Sequence, residues 1–118
     1  MATKSPLLRL DDIRAALLGI EEDVGNVEFS DFSANRQLRW AVERGIEIIS
    51  EASRRIPNGL KAQYPTIPWR KVAGIGNVLR HEYMEVAPDI IWAVVQNELP
   101  ALKQAVDAMI LTLESNQN

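Results

Sequence analysis

The chain has 118 residues, of which 47% are hydrophobic and 25% are charged, and its net charge at neutral pH is −3. This size and composition indicate one globular domain, and the negative charge excludes a general attraction to nucleic acid, so any RNA contact requires a local basic patch. The absence of cysteine excludes disulfides and thiolate metal sites, and it fits a reducing compartment.

The first predicted helix begins at Ser5-Pro6, where a capping residue precedes a proline at the first helical position. Apolar residues then recur at three- and four-residue spacing, which is typical of an amphipathic helix. They are Leu7, Leu10, Ile13, Leu17, Ile20 and Val24. Gly25-Asn26 predicts the end of this helix.

A second helix is predicted from Ser33 to Ile56, because apolar or small residues form one stripe along it. The stripe consists of Leu38, Val42, Gly45, Ile49, Ala52 and Ile56. Pro57-Asn58-Gly59 ends the helix. The segment from there to Pro68 is rich in proline and is predicted to be a loop.

A third helix is predicted to begin between Thr66 and Pro68, and it contains the chain's one histidine. The residues expected to face the core from it are Val72, Ile75, Leu79 and Val86. Ala87-Pro88 begins a further helix, and Leu99-Pro100 predicts a kink or a break before the last one. The final SNQN is expected to fray.

No strand pattern, repeat or low-complexity tract is visible in the sequence. The predicted fold is therefore all-α, an antiparallel bundle of four or five helices. It forms a single domain over residues 1–118, with about residues 7–113 in helices and short tails. No apolar run has the length of a signal peptide or a membrane span, so we expect a cytoplasmic protein with no membrane partner.

Polar residues align on the side of the third helix that faces away from its apolar stripe. Asn77 and His81 are four residues apart and nearly eclipsed, and Arg70 lies on the same line two turns before Asn77. Arg80 stands about a quarter-turn from His81. Because histidine titrates near neutrality and arginine binds phosphate, this set permits metal-independent cleavage of RNA through its 2′-hydroxyl. A solvated face without a function is the alternative interpretation.

Small residues lie on or beside the same polar face, namely Ala73, Gly74 and Gly76. A glycine inside a helix costs about 1 kcal/mol relative to alanine, so two of them at this place predict a close approach. We expect the face to meet a second subunit, a substrate, or both.

Carboxylates and one tryptophan complete the candidate residues. With one histidine and no cysteine, no metal and no other cofactor is expected. Glu47 and Glu51, four apart on the second helix, are expected to pair with arginines or to lie in solvent, and Glu51 is the candidate that supports Arg80 or Arg70. Trp40 falls opposite the apolar stripe of its helix.

Three arginines accompany Trp40 on that side of the helix: Arg36, Arg44 and Arg54. An exposed tryptophan is typical of an interface, so Trp40 predicts a protein partner. A basic and aromatic contact with RNA is the alternative.

Several strings together resemble the HepT-like family of the HEPN superfamily. LRWAVERGIEIISEASRRI resembles its second helix, PWRKVAGIGNVLRHEY its motif helix, and VAPDIIWAVVQNELPAL the segment that follows. The resemblance extends from about Leu7 to Leu113 and depends on the order and spacing of these strings.

The resemblance implies a homodimeric helical bundle that is the toxin of a toxin–antitoxin pair and an RNA endonuclease. It implies that His81 is the catalytic histidine and that Asn77 is the polar residue of the motif. It further implies that a cognate nucleotidyltransferase antitoxin AMPylates Tyr83 and so silences the toxin. From the helical wheel alone, Tyr83 points towards the edge of the apolar stripe, as a half-buried packing residue does.

One position departs from the family's motif. The family's arginine would directly precede Asn77, where this chain has Gly76. Arg80, one turn later and at nearly the same azimuth, is the hypothetical replacement. The alternative is a non-catalytic module that forms a dimer and binds the nucleotidyltransferase. A third interpretation is a structural bundle with an inert polar face.

Overall fold

The computed structural model describes residues 5–81 and 88–116, with the backbone alone for residues 80 and 81. Its described residues form helices and contain no strand, so the all-α prediction is confirmed. Seven helices occur in these ranges, and two of them are short, with six and four residues. In chain order they are α1 (Pro6–Val24), α2 (Phe29–Ala34), α3 (Arg36–Ser53), α4 (Asn58–Lys61), α5 (Trp69–His81), α6 (Pro88–Asn97) and α7 (Leu99–Asn116).

Both ends of α1 are where the sequence predicts them. The Ser5 hydroxyl oxygen accepts a hydrogen bond from the Leu7 N–H at 3.1 Å, and Pro6 occupies the first helical position. Gly25 ends the helix with a φ of 50°, a left-handed conformation that glycine adopts without the steric cost of a Cβ. Its N–H donates to the Glu21 carbonyl at 2.8 Å.

The second predicted helix is divided into α2 and α3. Asn35 has an extended backbone, and its side-chain oxygen accepts from the Leu38 N–H at 3.0 Å, so it caps α3. The predicted start at Ser33 is therefore wrong. Helix α3 begins at Arg36, after the cap, and Ser33 belongs to the separate short helix α2. The end is earlier than Ile56, since α3 stops at Ser53.

The predicted loop before Pro68 contains the single turn α4. It is tied to its neighbours by hydrogen bonds, since Lys61 donates to the Ser53 carbonyl at 3.2 Å and the Trp69 indole N–H donates to the carbonyls of Lys61 and Tyr64 at 3.1 Å each. The end of α3 thus lies near the start of α5. At the other end of the chain, α7 begins at Leu99 after the predicted break and includes the first two residues of the SNQN segment, which were expected to fray.

The core is apolar and is centred on α3, which packs against α1 on one side and α5 on another. The predicted stripes of α1 and α3 are buried, apart from Leu7 and Leu38, which are partly buried against the core. Helix α7 packs against α1 and α6, and α6 also contacts α2, where Phe32 lies 5.1 Å from the Trp92 ring. None of the helices in the described ranges is long and apolar enough to cross a membrane.

The α1–α3 contact is unusually close at Gly45. A Cβ at this position would lie 2.9 Å from two carbon atoms of the Ile20 side chain. The absence of a side chain at Gly45 therefore sets the distance between the two helices, as small residues do where backbones approach.

Candidate active site

The candidate site lies on α5 and on the side of α3 that packs against it. The two helices are antiparallel, because Ser50 contacts Ala73 and Gly76 while Arg54, one turn later at the C-cap of α3, contacts Ala73. The sequence folds this way locally because residues 43, 47 and 50 of α3 and the capping residue 54 have helical spacing, which places them along one side.

The apolar side of α5 faces the core as predicted. Leu79 is 2% exposed, and Val72 and Ile75 pack partly buried against the core. Val86, the fourth residue of the predicted stripe, lies outside the described residues.

On the other side of α5, Asn77 and Arg70 are exposed, in agreement with the helical wheel. Asn77 has an interaction partner in the structure. Gly74 is open, with no atom within 4 Å of the place where a Cβ would stand. This part of the polar face can therefore be reached by a substrate or another chain.

Gly76 was predicted to lie on or beside the outward face, and this prediction is wrong. Gly76 is buried, and its N–H donates to the Ser50 Oγ at 3.1 Å. The backbone of Gly76 is therefore in contact with α3. Ala73 is half-buried, and its carbonyl accepts a hydrogen bond from Ser50 of α3.

The remaining motif residues lie at the end of α5 and beyond it. Arg80 and His81 are the last residues of the helix, with His81 one turn after Asn77, and their side chains lie outside the described part of the structure. Tyr83 also lies outside it. Their predicted roles stay predictions.

The glutamates of α3 pair with arginines of the same helix, as expected. Glu51 accepts from Arg54 at 3.0 Å and from Arg55 at 3.3 Å, so the arginines it contacts here are these two. Glu47 lies 3.8 Å from Arg44, a weak exposed pair. No group of three potential metal ligands occurs among the described residues.

Glu43 is a carboxylate that sequence reasoning missed. Burial raises the pKa of its carboxyl; the positive charge of Arg39 opposes this rise, and the negative charge of Glu47 adds to it. Glu43 and Glu47 lie two turns and one turn before Ser50 on the same side of α3. The antiparallel packing therefore places them level with the last turn of α5, where Arg80 and His81 lie. Glu43 is four residues before Glu47, and this helical spacing is the signal that could have identified it.

Trp40 is exposed, as its position opposite the apolar stripe predicts. Its side chain is 60% accessible, and the Arg36 guanidinium carbon lies 5.2 Å from the ring centroid, a cation–π contact. Arg44 is also exposed on this side. Arg54, grouped with Trp40 from the sequence, instead reaches across to α5, where it donates to the Ala73 carbonyl at 2.8 Å.

Comparison with known proteins gives a consistent family. The family model described as ribonuclease HepT-like matches residues 13–109. A protein of Thermococcus cleftensis named "Probable ribonuclease HepT" is 40% identical over 94 residues, which cover 80% of this chain and 86% of the relative.

Two further relatives carry provisional RNase names. One, from Methanocaldococcus jannaschii, is 33% identical over 103 residues, covering 81% of this chain and 94% of the relative. The other, from Caldanaerobacter subterraneus, is 32% identical over 107 residues, covering 91% and 96%. No solved structure matches the chain. On the family model and these relatives, the chain belongs to the ribonuclease HepT-like family of the HEPN superfamily.

Proposed function

We propose that this protein is a metal-independent endoribonuclease and the toxin of a toxin–antitoxin pair. The observation that carries the proposal is the exposed Asn77 on a face of α5 directed away from the core, with the backbone of His81 one turn later, in a chain that belongs to a ribonuclease-type family. The ribonuclease names of the relatives support the same reaction class.

In this proposal the chemistry needs three residues at the end of α5. His81 takes the proton from an RNA 2′-hydroxyl or gives one to the leaving oxygen, since its ordinary pKa is near neutrality. Arg80 stabilises the charge that develops on the phosphorus-bound oxygens. Asn77 orients His81 or binds a phosphate oxygen. Arg70, exposed two turns before Asn77, binds a phosphate further along the RNA.

A homodimer through the face of α5 is part of the proposal. Beside the open Gly74, a groove between α5 and α6 contains Val78 and Ile90, which are 45% and 54% exposed. Two large apolar side chains next to a glycine support close packing of helices from two copies. Such a dimer would place two sets of Arg80 and His81 along one cleft.

Silencing by a nucleotidyltransferase antitoxin completes the proposal. AMPylation of Tyr83, two residues from His81, adds a negative phosphate and bulk beside the basic residues, which opposes RNA by charge and by volume. The exposed Trp40, with Arg36 over its ring, is the proposed contact with the antitoxin.

The second candidate function is a non-catalytic dimeric module that binds the nucleotidyltransferase. It is favoured by one observation, the glycine at the position of the motif arginine. Gly76 is buried against α3, so the phosphate-binding group must come from elsewhere for cleavage to occur.

Cleavage of RNA by the purified wild type, His81→Ala and Arg80→Ala in the presence of EDTA tests the first proposal. We expect a loss of about 100-fold or more in the histidine variant, the usual contribution of a general acid or base, and a similar loss in the arginine variant. Arg44→Ala, on the exposed side of α3, is the matched control and should cleave as the wild type does. Equal activity of all four proteins, or none in the wild type, would support the non-catalytic module.

Intact mass after co-expression with a nucleotidyltransferase of the proposed antitoxin type tests the modification. The expected result is an increase of one or more AMP units in the wild type and none in Tyr83→Phe. The control variant is Tyr64→Phe, which alters the chain's other tyrosine and should be modified normally. An unchanged wild-type mass would contradict the AMPylation proposal.

A further inference from the structure

The Ser50 hydroxyl is inserted between α3 and the middle of α5. Ser50 is 0% exposed; its Oγ donates to the Ala73 carbonyl at 2.7 Å and accepts from the Gly76 N–H at 3.1 Å. The two α5 groups belong to one turn of the helix, an acceptor and a donor three residues apart. One buried side chain therefore satisfies both a carbonyl and an amide of its neighbour.

A second side chain of α3 converges on the same carbonyl. Arg54 donates to the Ala73 oxygen at 2.8 Å and is itself held by the Glu51 carboxylate at 3.0 Å. A hydrogen bond from a charged donor is stronger than one between neutral groups. One carbonyl of α5 thus accepts from a hydroxyl and from a guanidinium, whose residues are one turn apart at the end of α3.

The turn held in this way directly precedes the motif. Asn77 follows Gly76, and His81 is one further turn along the same helix. Apolar packing of Leu79 fixes which side of α5 is buried, but it does not fix the position of the helix along its axis, since apolar contacts are not directional. The directional hydrogen bonds at Ala73 and Gly76 fix the position of α5 along its axis.

We propose that Ser50 and Arg54, here called the Ser50–Arg54 clamp, are positioning residues for the Asn77–His81 pair. The inference rests on the proposed ribonuclease function, and it adds that α3 determines where the motif residues stand.

Ser53 provides a matched control within the same helix. It is 1% exposed, and its hydroxyl donates to the Ser50 carbonyl at 2.7 Å, so it is a buried serine whose bond remains within α3. Arg55 is the corresponding control for Arg54, because it also pairs with Glu51 but has no bond to α5 among the described residues.

The test compares Ser50→Ala with Ser53→Ala in two measurements on the full chain. In RNA cleavage, kcat should fall about 10- to 100-fold in Ser50→Ala with KM little changed, because misplaced catalytic groups affect the chemical step. In amide hydrogen exchange, residues 74–81 should exchange up to about tenfold faster, the equivalent of one lost hydrogen bond. Ser53→Ala should show neither change, and Ser50→Thr should recover part of kcat.

Coupling between the two residues gives a second measurement. The increases in amide exchange at residues 74–81 caused by Ser50→Ala and by Arg54→Met should not add in the double variant, because both side chains bind the Ala73 carbonyl oxygen. Arg55→Met should leave it unchanged.

Each outcome decides one of the two proposals. If the wild type cleaves RNA and both serine variants lose kcat equally, or if exchange changes while kcat does not, the clamp proposal is overturned. If the wild type does not cleave RNA, the proposed function fails, and faster exchange confined to Ser50→Ala would show that α3 still positions the turn. Unchanged exchange in that variant would overturn the clamp in either case.

Discussion

Helix α3 makes two interfaces that differ in chemistry. Towards α1 it is apolar and close, with Gly45 against Ile20, which is 3% exposed. Towards α5 it adds hydrogen bonds to apolar packing, with Ser50 and Arg54 both on the Ala73 carbonyl. Apolar burial contributes most of the free energy of folding, whereas directional bonds specify relative position. One helix therefore packs the domain together on one side and, in the proposed clamp, orients the motif on another.

The largest effect is expected at the apolar interface. Ile20→Ala removes a buried side chain that packs against Gly45 and should lower the free energy of unfolding by about 2–5 kcal/mol. Urea unfolding measures it, and Leu18→Ala, at a residue of the same helix that is 44% exposed, should cost less. If Ser50→Ala destabilises the protein more than Ile20→Ala does, the proposed difference between the two interfaces is wrong.

An intermediate effect is expected where α5 approaches α3. Gly76→Ala places a methyl group at a buried contact and should destabilise the protein by about 1–3 kcal/mol. Gly19→Ala, in the interior of α1 with open space around it, should be neutral or stabilising by about 0.5–1 kcal/mol because alanine is the better helix former. Thermal unfolding of the two variants should therefore move in opposite directions.

Placing the motif arginine at position 76 tests the same contact between α5 and α3. Gly76→Arg should not raise RNA cleavage above the wild-type rate, because the position faces α3 in this structure. A gain in cleavage with unchanged stability would mean that the glycine had only removed a catalytic residue. It would favour the non-catalytic interpretation of the natural chain.

The smallest effect is expected at Glu43, on the α5 side of α3. Its pKa is raised in the folded protein, so folding favours the neutral carboxyl, and the free energy of unfolding falls as pH rises through that pKa. Glu43→Gln removes this loss and should stabilise the protein at about pH 8 but not at about pH 4. Because solvent screens a half-exposed carboxylate, the gain should stay below about 1 kcal/mol. Equal gains at both pH values would contradict this cause.

The sequence predicted the elements that depend on regular spacing and missed those that depend on a neighbour. The apolar stripes of α1 and α3 and the core side of α5 follow from residue periodicity alone, and their described residues are buried or partly buried against the core. The break at Asn35 was missed because the apolar stripe begins only at Leu38 and gives no information before it, whereas the cap depends on one side-chain oxygen.

The candidate site shows the same limit. A helical wheel placed Asn77 and Arg70 correctly, because exposure follows from azimuth. It misplaced Gly76 because a single helix does not indicate which of its sides meets another helix. The sequence does not predict a role for Ser50, which is a serine among apolar residues. Its hydroxyl has partners on α5 only because α3 packs against that helix.

The three tryptophans make this chain a natural fluorescence reporter of its own interactions. Trp40 is exposed to water, Trp69 donates its indole N–H to two carbonyls beside the start of α5, and Trp92 packs against aromatic rings of α2. Since indole emission depends on the polarity around the ring, single-tryptophan variants would separate events at three places. Binding of the proposed antitoxin would change the emission of Trp40, displacement of the motif helix that of Trp69, and loosening of the core that of Trp92, all without an added label.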